Sequence, residues 1–317
     1  MIIEKAATKK DNFVSHNYYY DSARAAMFDL VSNMCISGLI DTLFLPGYIG
    51  LSPKEGSGIF DPVNRIEELK LKYYKMTSNL DIDFYDLIYK MRELKSEKFA
   101  VLVVNYFGFV DPRIEELTIE IKKKSGWIIE DNAHGFFTYQ YYKQSMADAT
   151  FFSLHKMFPF ERGGSLSILN EQLNGLGYCG NSLQNTVYNP WVYDIQKIAR
   201  LRRENYEELE KIIKDKKYLH LFRPLKESKD HGIIPHTFPI CIIHGDRNKI
   251  YTLMNEKGFG VVSLYHTLIE PLRTNEFRAS LDLSRQILNL PVHQDVDRSH
   301  YEEMVALLAK YCESTAN

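Results

Sequence analysis

Short runs of consecutive apolar residues alternate with segments of helical periodicity through the first half of the chain. The segment "DSARAAMFDLVSNMCISG", residues 21–38, places its apolar side chains on one face of a predicted helix that begins at a capping Asp-Ser pair. Apolar runs predict buried strands at "DTLFLP", "FAVLVVNYFG", "WIIED", "ATFFSL" and "GSLSIL", and further helices are predicted at "FYDLIYKMRELK" and "PRIEELTIEIKKKSG". Strands without polar alternation, separated by helices, predict an α/β fold with a mostly parallel central sheet flanked by helices.

The pattern changes after a long charged helix that is predicted over residues 193–217. Beyond it, a strand at "HTFPICIIH", a helix at "RNKIYTLMNEKG", a strand at "FGVVSLY" and a final helix at "RSHYEEMVALLAKYCE" predict a compact α+β unit. The sequence therefore predicts a large domain over residues 1–215, which includes the connecting helix, and a smaller C-terminal α+β domain over residues 216–317.

The composition is typical of a soluble globular protein. Hydrophobic residues make up 45% of the 317 residues and charged residues 25%. The net charge of −2 argues against a nucleic-acid partner, and no apolar segment is long enough to predict a membrane span. The four cysteines lie far apart without a C-x-x-C pair, which predicts neither a metal site nor a disulfide framework and favours a reducing, cytoplasmic setting.

Two polar residues that follow predicted strands carry the candidate chemistry. Lys156 comes directly after "FFSL" and Asp131 directly after "WIIE", and the carboxyl ends of parallel strands form one ligand-binding edge. A lysine in a partly dry site has a lowered pKa and can bind an aldehyde covalently, which is useful mainly with an electron sink such as pyridoxal phosphate. Asp131 would then hold the pyridine nitrogen, His134 would reach the ring oxygen, and a helix start with Arg24 would meet the phosphate. Each residue alone also fits a plain structural role, such as a solvated lysine, a turn or a helix cap.

These elements occur in an order that resembles the DegT/StrS-type sugar aminotransferases, which are fold-type I pyridoxal-phosphate enzymes. "IIEDNAHG" resembles the family's V-I-E-D-A-A-[QH]-A, and "VYNPWVYDIQ" resembles its N-Y-R-x-S-D-x-Q. "FFSLHKMFPFERGG" resembles the family's F-S-[FL]…K…[ED]-G-G, and Lys156 stands seven residues before the first glycine, as the family lysine does. The C-terminal segments "NEKGFGV" and "LSRQILNLPVH" resemble L-x-x-x-G-I and S-x-x-x-L-x-L-P-[LV]-H.

The resemblance implies a fold-type I aminotransferase-like fold and a role for each matching position. Lys156 is implied to bind the cofactor covalently, Asp131 to pair with its pyridinium nitrogen, and His134 to contact the region of its ring oxygen. The other cofactor-binding positions that the resemblance implies are Ser22, Ala23, Arg24, Tyr48, Ser153 and Asn189.

Two of these places depart from the family pattern. The phosphate-binding S-G-T of the family is Ser22-Ala23-Arg24 here, without a glycine. The aromatic residue that stacks on the cofactor ring in the family falls at Gly50. Tyr48, two residues earlier, or another residue is therefore expected to lie against the ring.

The function implied by the resemblance is the transfer of an amino group from an amino acid, with glutamate as the expected donor, to a keto-sugar nucleotide. The active unit is expected to be a homodimer in which Asn189 reaches the phosphate bound by the neighbouring subunit. Three alternatives remain open: a dehydratase, which carries histidine at the lysine position and for which His155 is adjacent; a cofactor-binding regulatory relative without turnover; and a structural protein without a cofactor. The loops 139–146, 173–185 and 265–279 are expected to determine which sugar is bound.

Overall fold

A seven-stranded sheet forms the centre of the N-terminal part of the molecule. The computed structural model describes residues 16–141, 145–181, 187–215, 218–227 and 232–316. The strands are β1 (His16–Tyr20), β2 (Thr42–Pro46), β3 (Lys70–Tyr74), β4 (Phe99–Val104), β5 (Trp127–Asp131), β6 (Ala149–Ser153) and β7 (Gly164–Ile168). Their spatial order is β1-β7-β6-β5-β4-β2-β3, and every neighbouring pair is parallel except the two that involve β7. The mostly parallel sheet predicted from the apolar runs is confirmed.

Strand β7 runs antiparallel because the chain between it and β6 is short. Residues 154–163 connect the two strands, whereas a parallel connection needs a crossover of about a dozen residues or more. The chain therefore turns back at the carboxyl end of β6, where Leu154–Lys156 forms a single 3₁₀ turn. This turn keeps Lys156 at the carboxyl edge of the sheet.

Helices cover the sheet, and their amphipathic sequences decide which side faces it. They are α1 (Ala23–Ile36), α2 (Phe60–Asn64), α3 (Phe84–Arg92), α4 (Ile114–Lys123), α5 (Phe136–Tyr141) and α6 (Ile195–Asp215). Helix α1 begins where the Ser22 hydroxyl accepts a hydrogen bond from the backbone N–H of Ala25 at 3.2 Å, and its apolar face is buried. The predicted helix at this place is confirmed, with ends two residues inside the predicted range.

The C-terminal part contains a second, smaller sheet. Strands β8 (Phe222–Pro224), β9 (Thr237–Ile242) and β10 (Ile287–Pro291) form an antiparallel sheet in the order β10-β9-β8, accompanied by helices α7 (Arg247–Glu256), α8 (Arg278–Gln286) and α9 (Tyr301–Ser314). The long helix α6 is tied to this part, because the Asn205 amide donates to the carbonyl of His293 at 2.8 Å. The boundary at residues 215 and 216 stays a prediction.

The strand predicted at "FGVVSLY", residues 259–265, is wrong. Only Val262 pairs there, in an isolated bridge with Asn289. Gly260 and Tyr265 both adopt the left-handed backbone conformation, with φ of +61° and +60°, and such residues interrupt an extended chain. In the part of the chain that the structure describes, no helix is long and apolar enough to cross a membrane.

Candidate active site

A cleft of about 540 Å³ lies at the carboxyl ends of β5 and β6. The cleft is lined by residues at the ends of these two strands, by the start of α1 and by the loop that ends at residue 266. Seven of the nine predicted cofactor-binding positions line it: Ser22, Ala23, Arg24, Asp131, His134, Ser153 and Lys156. The structure therefore brings together residues that lie more than a hundred positions apart in the sequence.

Lys156 and His134 form the central contact of this cleft. Lys156 Nζ lies 3.0 Å from His134 Nε2, and His134 Nδ1 accepts the backbone N–H of Phe107 at 3.4 Å. Because Nδ1 is an acceptor, the proton of the neutral imidazole lies on Nε2, which then donates to Lys156. An ammonium group has no lone pair to accept this bond, so this tautomer favours the free amine of Lys156.

The environment favours the neutral form of both side chains. Burial, with the charges of Lys156 and His236, holds the pKa of His134 well below its ordinary range. Solvent reaches the Lys156 side chain through the cleft, yet the surrounding protein desolvates its ammonium and lowers its pKa, against the opposing effect of the Asp131 carboxylate. Lowering the pKa of an amine increases the share of the nucleophilic free base, which can also accept a proton.

Asp131 ends strand β5 and is the buried carboxylate of the cleft. Its side chain accepts the backbone N–H of Ala133 at 2.8 Å, and 5% of the residue is exposed. Burial raises the pKa of Asp131 to about 6, although the Ala133 hydrogen bond and the charge of Lys156 oppose the shift. A carboxylate held in this way favours a cationic partner, and no Lys, Arg or His nitrogen of the described chain lies within 4 Å to form an ion pair with it.

The glycine pair that follows the lysine turn allows β7 to approach the start of α1 closely. A Cβ atom at Gly164 would lie 2.2 Å from the carbonyl carbon of Ser22 and 2.4 Å from the backbone nitrogen of Ala23. Gly163 has a φ of +136°, and it donates its N–H to Asp21 O and accepts from Leu154 N. These contacts hold the helix start, with its unpaired N–H groups, beside the turn that carries Lys156.

Arg24 is already partnered at the entrance of the cleft. Its Nη1 donates to the carbonyl oxygen of Glu55 at 2.5 Å, and its Nη2 lies 3.7 Å from the Glu55 carboxylate. Both side chains are exposed, so this pair is weak and can exchange for another anion.

Tyr48 and Asn189 do not line this cleft. Tyr48 is completely buried behind it, in edge contact with Tyr106, whose hydroxyl donates to the Tyr48 carbonyl. The prediction that Tyr48 lies against the cofactor ring is wrong, because packing on Tyr106 turns the side chain into the core. The Asn189 side chain accepts the N–H of Trp191 at 3.0 Å in its own chain.

Lys156 also borders a second cleft of about 790 Å³ on the side of α6 and β10. Arg202 lines it with 2% of its surface exposed, and no carboxylate of the described residues lies within 4 Å of its guanidinium group. Arg202 donates to Gln294 Oε1 at 3.1 Å and to the carbonyl of His236 at 3.4 Å. Burial lowers the pKa of Arg202 to about 10, and the charge of Asp295, which lines the same cleft, opposes this shift. The guanidinium group can therefore also bind an anionic ligand in this cleft.

The site contains three residues that are not predicted from the sequence: Phe107, His236 and Tyr265. His134 lies between the rings of Phe107 and His236, at centroid distances of 5.9 and 4.7 Å and nearly parallel to both. Tyr265 lines the cleft from the C-terminal part. The only sequence signal for any of them is that Tyr265 begins the loop 265–279, which is predicted to shape the substrate site. Parts of the other two such loops, residues 142–144 and 182–185, lie outside the described residues.

The comparisons with known proteins concern the fold. No model of a known protein family matches the chain, and no curated protein does. Among solved structures, it is similar to a DegT/DnrJ/EryC1/StrS aminotransferase from Brucella abortus, with a TM-score of 0.72 and 12% identity over 94% of this chain and 86% of that one. A candidate sugar aminotransferase from Streptococcus pneumoniae in its PLP form has a TM-score of 0.75 and 13% identity over 95% and 88% of the two chains.

A third similar structure is PseC of Helicobacter pylori, an aminotransferase involved in the biosynthesis of pseudoaminic acid. Its TM-score is 0.71, with 17% identity over 94% of this chain and 87% of that one. Identities this low establish a shared fold and do not establish a shared reaction. The chain therefore has the fold of the sugar aminotransferases that its motifs resemble, with a mostly parallel sheet and a smaller C-terminal α+β part.

Proposed function

We propose that this protein is a pyridoxal-phosphate-dependent aminotransferase of the DegT/StrS type. The observation that carries the proposal is the contact of Lys156 Nζ with His134 Nε2 at 3.0 Å, in the same cleft as the buried carboxylate of Asp131. These three groups come from the ends of neighbouring strands, where α/β proteins bind their ligands.

The residues of the cleft fit the cofactor. Its volume of about 540 Å³ is within the usual range of cofactor sites. The amine of Lys156 suits the aldehyde, the carboxylate of Asp131 suits the pyridine nitrogen, and the start of α1, which lines the cleft, suits the phosphate.

Each side chain has a defined task in amino transfer. When bound, the cofactor supplies the sink for the electrons released at the α-carbon of the amino acid. Lys156 Nζ takes the proton from that carbon and later returns one, which requires the free amine that its lowered pKa favours. Asp131 holds the positive charge at the pyridine nitrogen, and His134 Nε2–H donates to an oxygen at the ring.

The second cleft supports the proposal that both the amino-group donor and the amino-group acceptor are anionic. The buried Arg202 lies on the other side of Lys156, with Asp295 in the same cleft but with no carboxylate of the described residues within 4 Å. A guanidinium group suits the carboxylates of glutamate and the diphosphate of a sugar nucleotide. We therefore propose glutamate as the donor and a keto-sugar nucleotide as the acceptor, in line with the sugar aminotransferases of similar structure.

We also propose that the active unit is a homodimer with shared sites. The Asn189 side chain does not line the cleft of its own chain. It is flanked by apolar side chains that are largely exposed in the single chain: Val187 at 83%, Trp191 at 53% and Val192 at 71%. Such a patch suits burial against a second subunit, where Asn189 would reach the partner's phosphate.

Two observations bear on the alternatives. The amine that contacts His134 belongs to Lys156, while His155 contacts the Ser153 hydroxyl at 3.3 Å, which supports the lysine as the reacting residue and not a dehydratase histidine. The Arg24–Glu55 pair does not separate an enzyme from a regulatory protein without turnover, because a carboxylate beside Arg24 weakens phosphate binding in both.

An absorbance spectrum of the purified protein, loaded with pyridoxal phosphate, tests the proposal. An aminotransferase shows a near-visible band that borohydride abolishes and that glutamate shifts, and it converts nucleotide keto-sugars to amino sugars. A borohydride-sensitive band without any response to amino acids would support the regulatory alternative. The absence of any cofactor binding would overturn both.

A further inference from the structure

Position 50 has no side chain, and another residue takes its space. A Cβ atom at Gly50 would lie 2.7 Å from Cδ1 of Tyr265 and 3.1 Å from its Cα. Both residues line the cleft that holds Asp131 and Lys156. An aromatic ring at position 50 is therefore excluded by the aromatic ring of Tyr265, which comes from the C-terminal part of the chain.

The backbone around Tyr265 is held in an unusual conformation. Its φ of +60° lies in the left-handed region, which costs a tyrosine of the order of 1 kcal/mol and persists only where the surroundings determine it. Gly50 pairs with Leu268, and Leu51 donates its N–H to the carbonyl of Thr267 at 2.8 Å, so the loop is fastened to the segment after β2. Strain of this kind is common where a side chain is placed for function.

The ring of Tyr265 is packed from behind and open toward the cleft. The rings of Tyr48 and Tyr106 both lie 5.5 Å from it, between centroids, and that of His134 lies at 6.1 Å. The residue is half-buried, whereas Phe151, the other phenyl ring that lines the cleft, is 2% exposed and belongs to the core. Among the described residues that line the cleft, Tyr265 is therefore the one whose six-membered ring is accessible to a ligand.

We propose that Tyr265 supplies the aromatic surface for the pyridine ring of the cofactor, in place of the side chain that Gly50 lacks. This inference rests on the proposed function, since it concerns the same cofactor. It explains why a glycine stands at position 50 and why a tyrosine keeps a strained backbone beside it. In this contact the aromatic ring comes from Tyr265, and Gly50 leaves the space that the ring occupies.

The test measures noncovalent cofactor binding to the apo-protein. Pyridoxamine 5′-phosphate serves as the probe because it lacks the aldehyde that Lys156 would bind, and calorimetry gives its Kd. Tyr265→Gly removes the ring and suits the left-handed backbone, and we expect a Kd about tenfold weaker, the size of an aromatic contact. Gly50→Phe combined with Tyr265→Gly should return the Kd to within about threefold of the wild type.

A second pair of variants separates the ring from the fold. Tyr265→Phe and Tyr265→Leu carry the same backbone strain, and only the first keeps a ring, so the phenylalanine variant should bind as the wild type does and the leucine variant should not. Equal binding by wild type, Tyr265→Gly and Tyr265→Leu overturns this inference and leaves the proposed function intact. A wild-type protein that binds neither pyridoxamine nor pyridoxal phosphate overturns the proposed function itself.

Discussion

Replacing Asp131 by asparagine tests whether a buried carboxylate is kept for chemistry at the expense of stability. Asparagine has nearly the same shape, and its oxygen can still accept the Ala133 N–H that Asp131 accepts at 2.8 Å. The folded-state pKa of Asp131 is about 6, against an ordinary value of 3.8 that applies to the unfolded chain. Below pH 3.8 the carboxyl group of Asp131 is protonated in both the folded and the unfolded protein, so it favours neither state.

The sign of the effect follows from proton binding. Between about pH 4 and pH 6 the folded protein keeps a proton that the unfolded chain has lost, so the wild type loses stability as the pH rises through this window. The difference of about 2 pKa units corresponds to about 3 kcal/mol, which is fully lost above pH 6. The amide has no such titration. Asp131→Asn apo-protein should therefore match the wild type at pH 4 and be more stable by about 3 kcal/mol at pH 7.

Urea unfolding of both apo-proteins at several pH values between 4 and 8 measures this difference. Asp297→Asn is the matched control, because Asp297 is exposed and hydrogen bonds from Ser299 lower its pKa, so the same substitution should change stability with pH in the opposite direction. With pyridoxal phosphate, the Asp131→Asn enzyme should lose most of its turnover, since an amide does not hold the pyridinium charge. A stability difference that stays constant with pH would refute the reasoning, and near-normal turnover would remove Asp131 from the mechanism.

The remaining predictions concern the lysine, the glycine pair and the subunit contact. Lys156→Ala should lose the borohydride-sensitive band and transamination while it keeps the circular dichroism spectrum of the wild type, because the amine is needed for both. Gly164→Ala should lower the free energy of unfolding by about 1–3 kcal/mol and weaken phosphate binding, since its Cβ meets rigid backbone atoms at 2.2 and 2.4 Å. In mixed dimers of Asn189→Ala and Lys156→Ala chains, one site contains both defects and the other neither, so activity should return to about half of the wild-type value per dimer.

Each of these three has an outcome that would contradict it. A Lys156→Ala protein that still forms the band would show that another amine reacts. Gly58→Ala is the control for Gly164→Ala, because its Cβ would meet only Arg24 Nε at 3.9 Å; equal stability losses in the two variants would remove the steric argument. Verified heterodimers that stay inactive, or an active monomer on size exclusion, would exclude a shared site.

The strands of the large sheet and the two main residues of the site could be predicted from local sequence. Buried parallel strands need consecutive apolar residues, so β4 and β6 are visible as such. Lys156 and Asp131 follow strand ends and therefore share an edge. The two edge strands, β1 and β3, are not predicted, because neither "HNYYY" nor "KLKYY" is a run of consecutive apolar residues.

Contacts between distant segments could not be predicted in this way. Tyr48 stands two residues before Gly50, where the motif places the ring contact, but packing against Tyr106 decides that Tyr48 belongs to the core. The segment 259–265 has the composition of a strand, yet its left-handed residues make it a loop. Local propensity does not include the neighbours that the fold supplies, and those neighbours override it.

Local sequence predicts five of the seven strands of the large sheet and the strand ends that carry Lys156 and Asp131. These follow from periodicity and from the chemistry of single residues, which act over a few positions along the chain. Tertiary structure alone brings Lys156 Nζ to His134 Nε2, because this contact depends on the position of His134, which accepts the backbone N–H of Phe107. It also decided that Tyr265 occupies the place left open at Gly50. Both depend on distances between segments that meet only when the chain is folded.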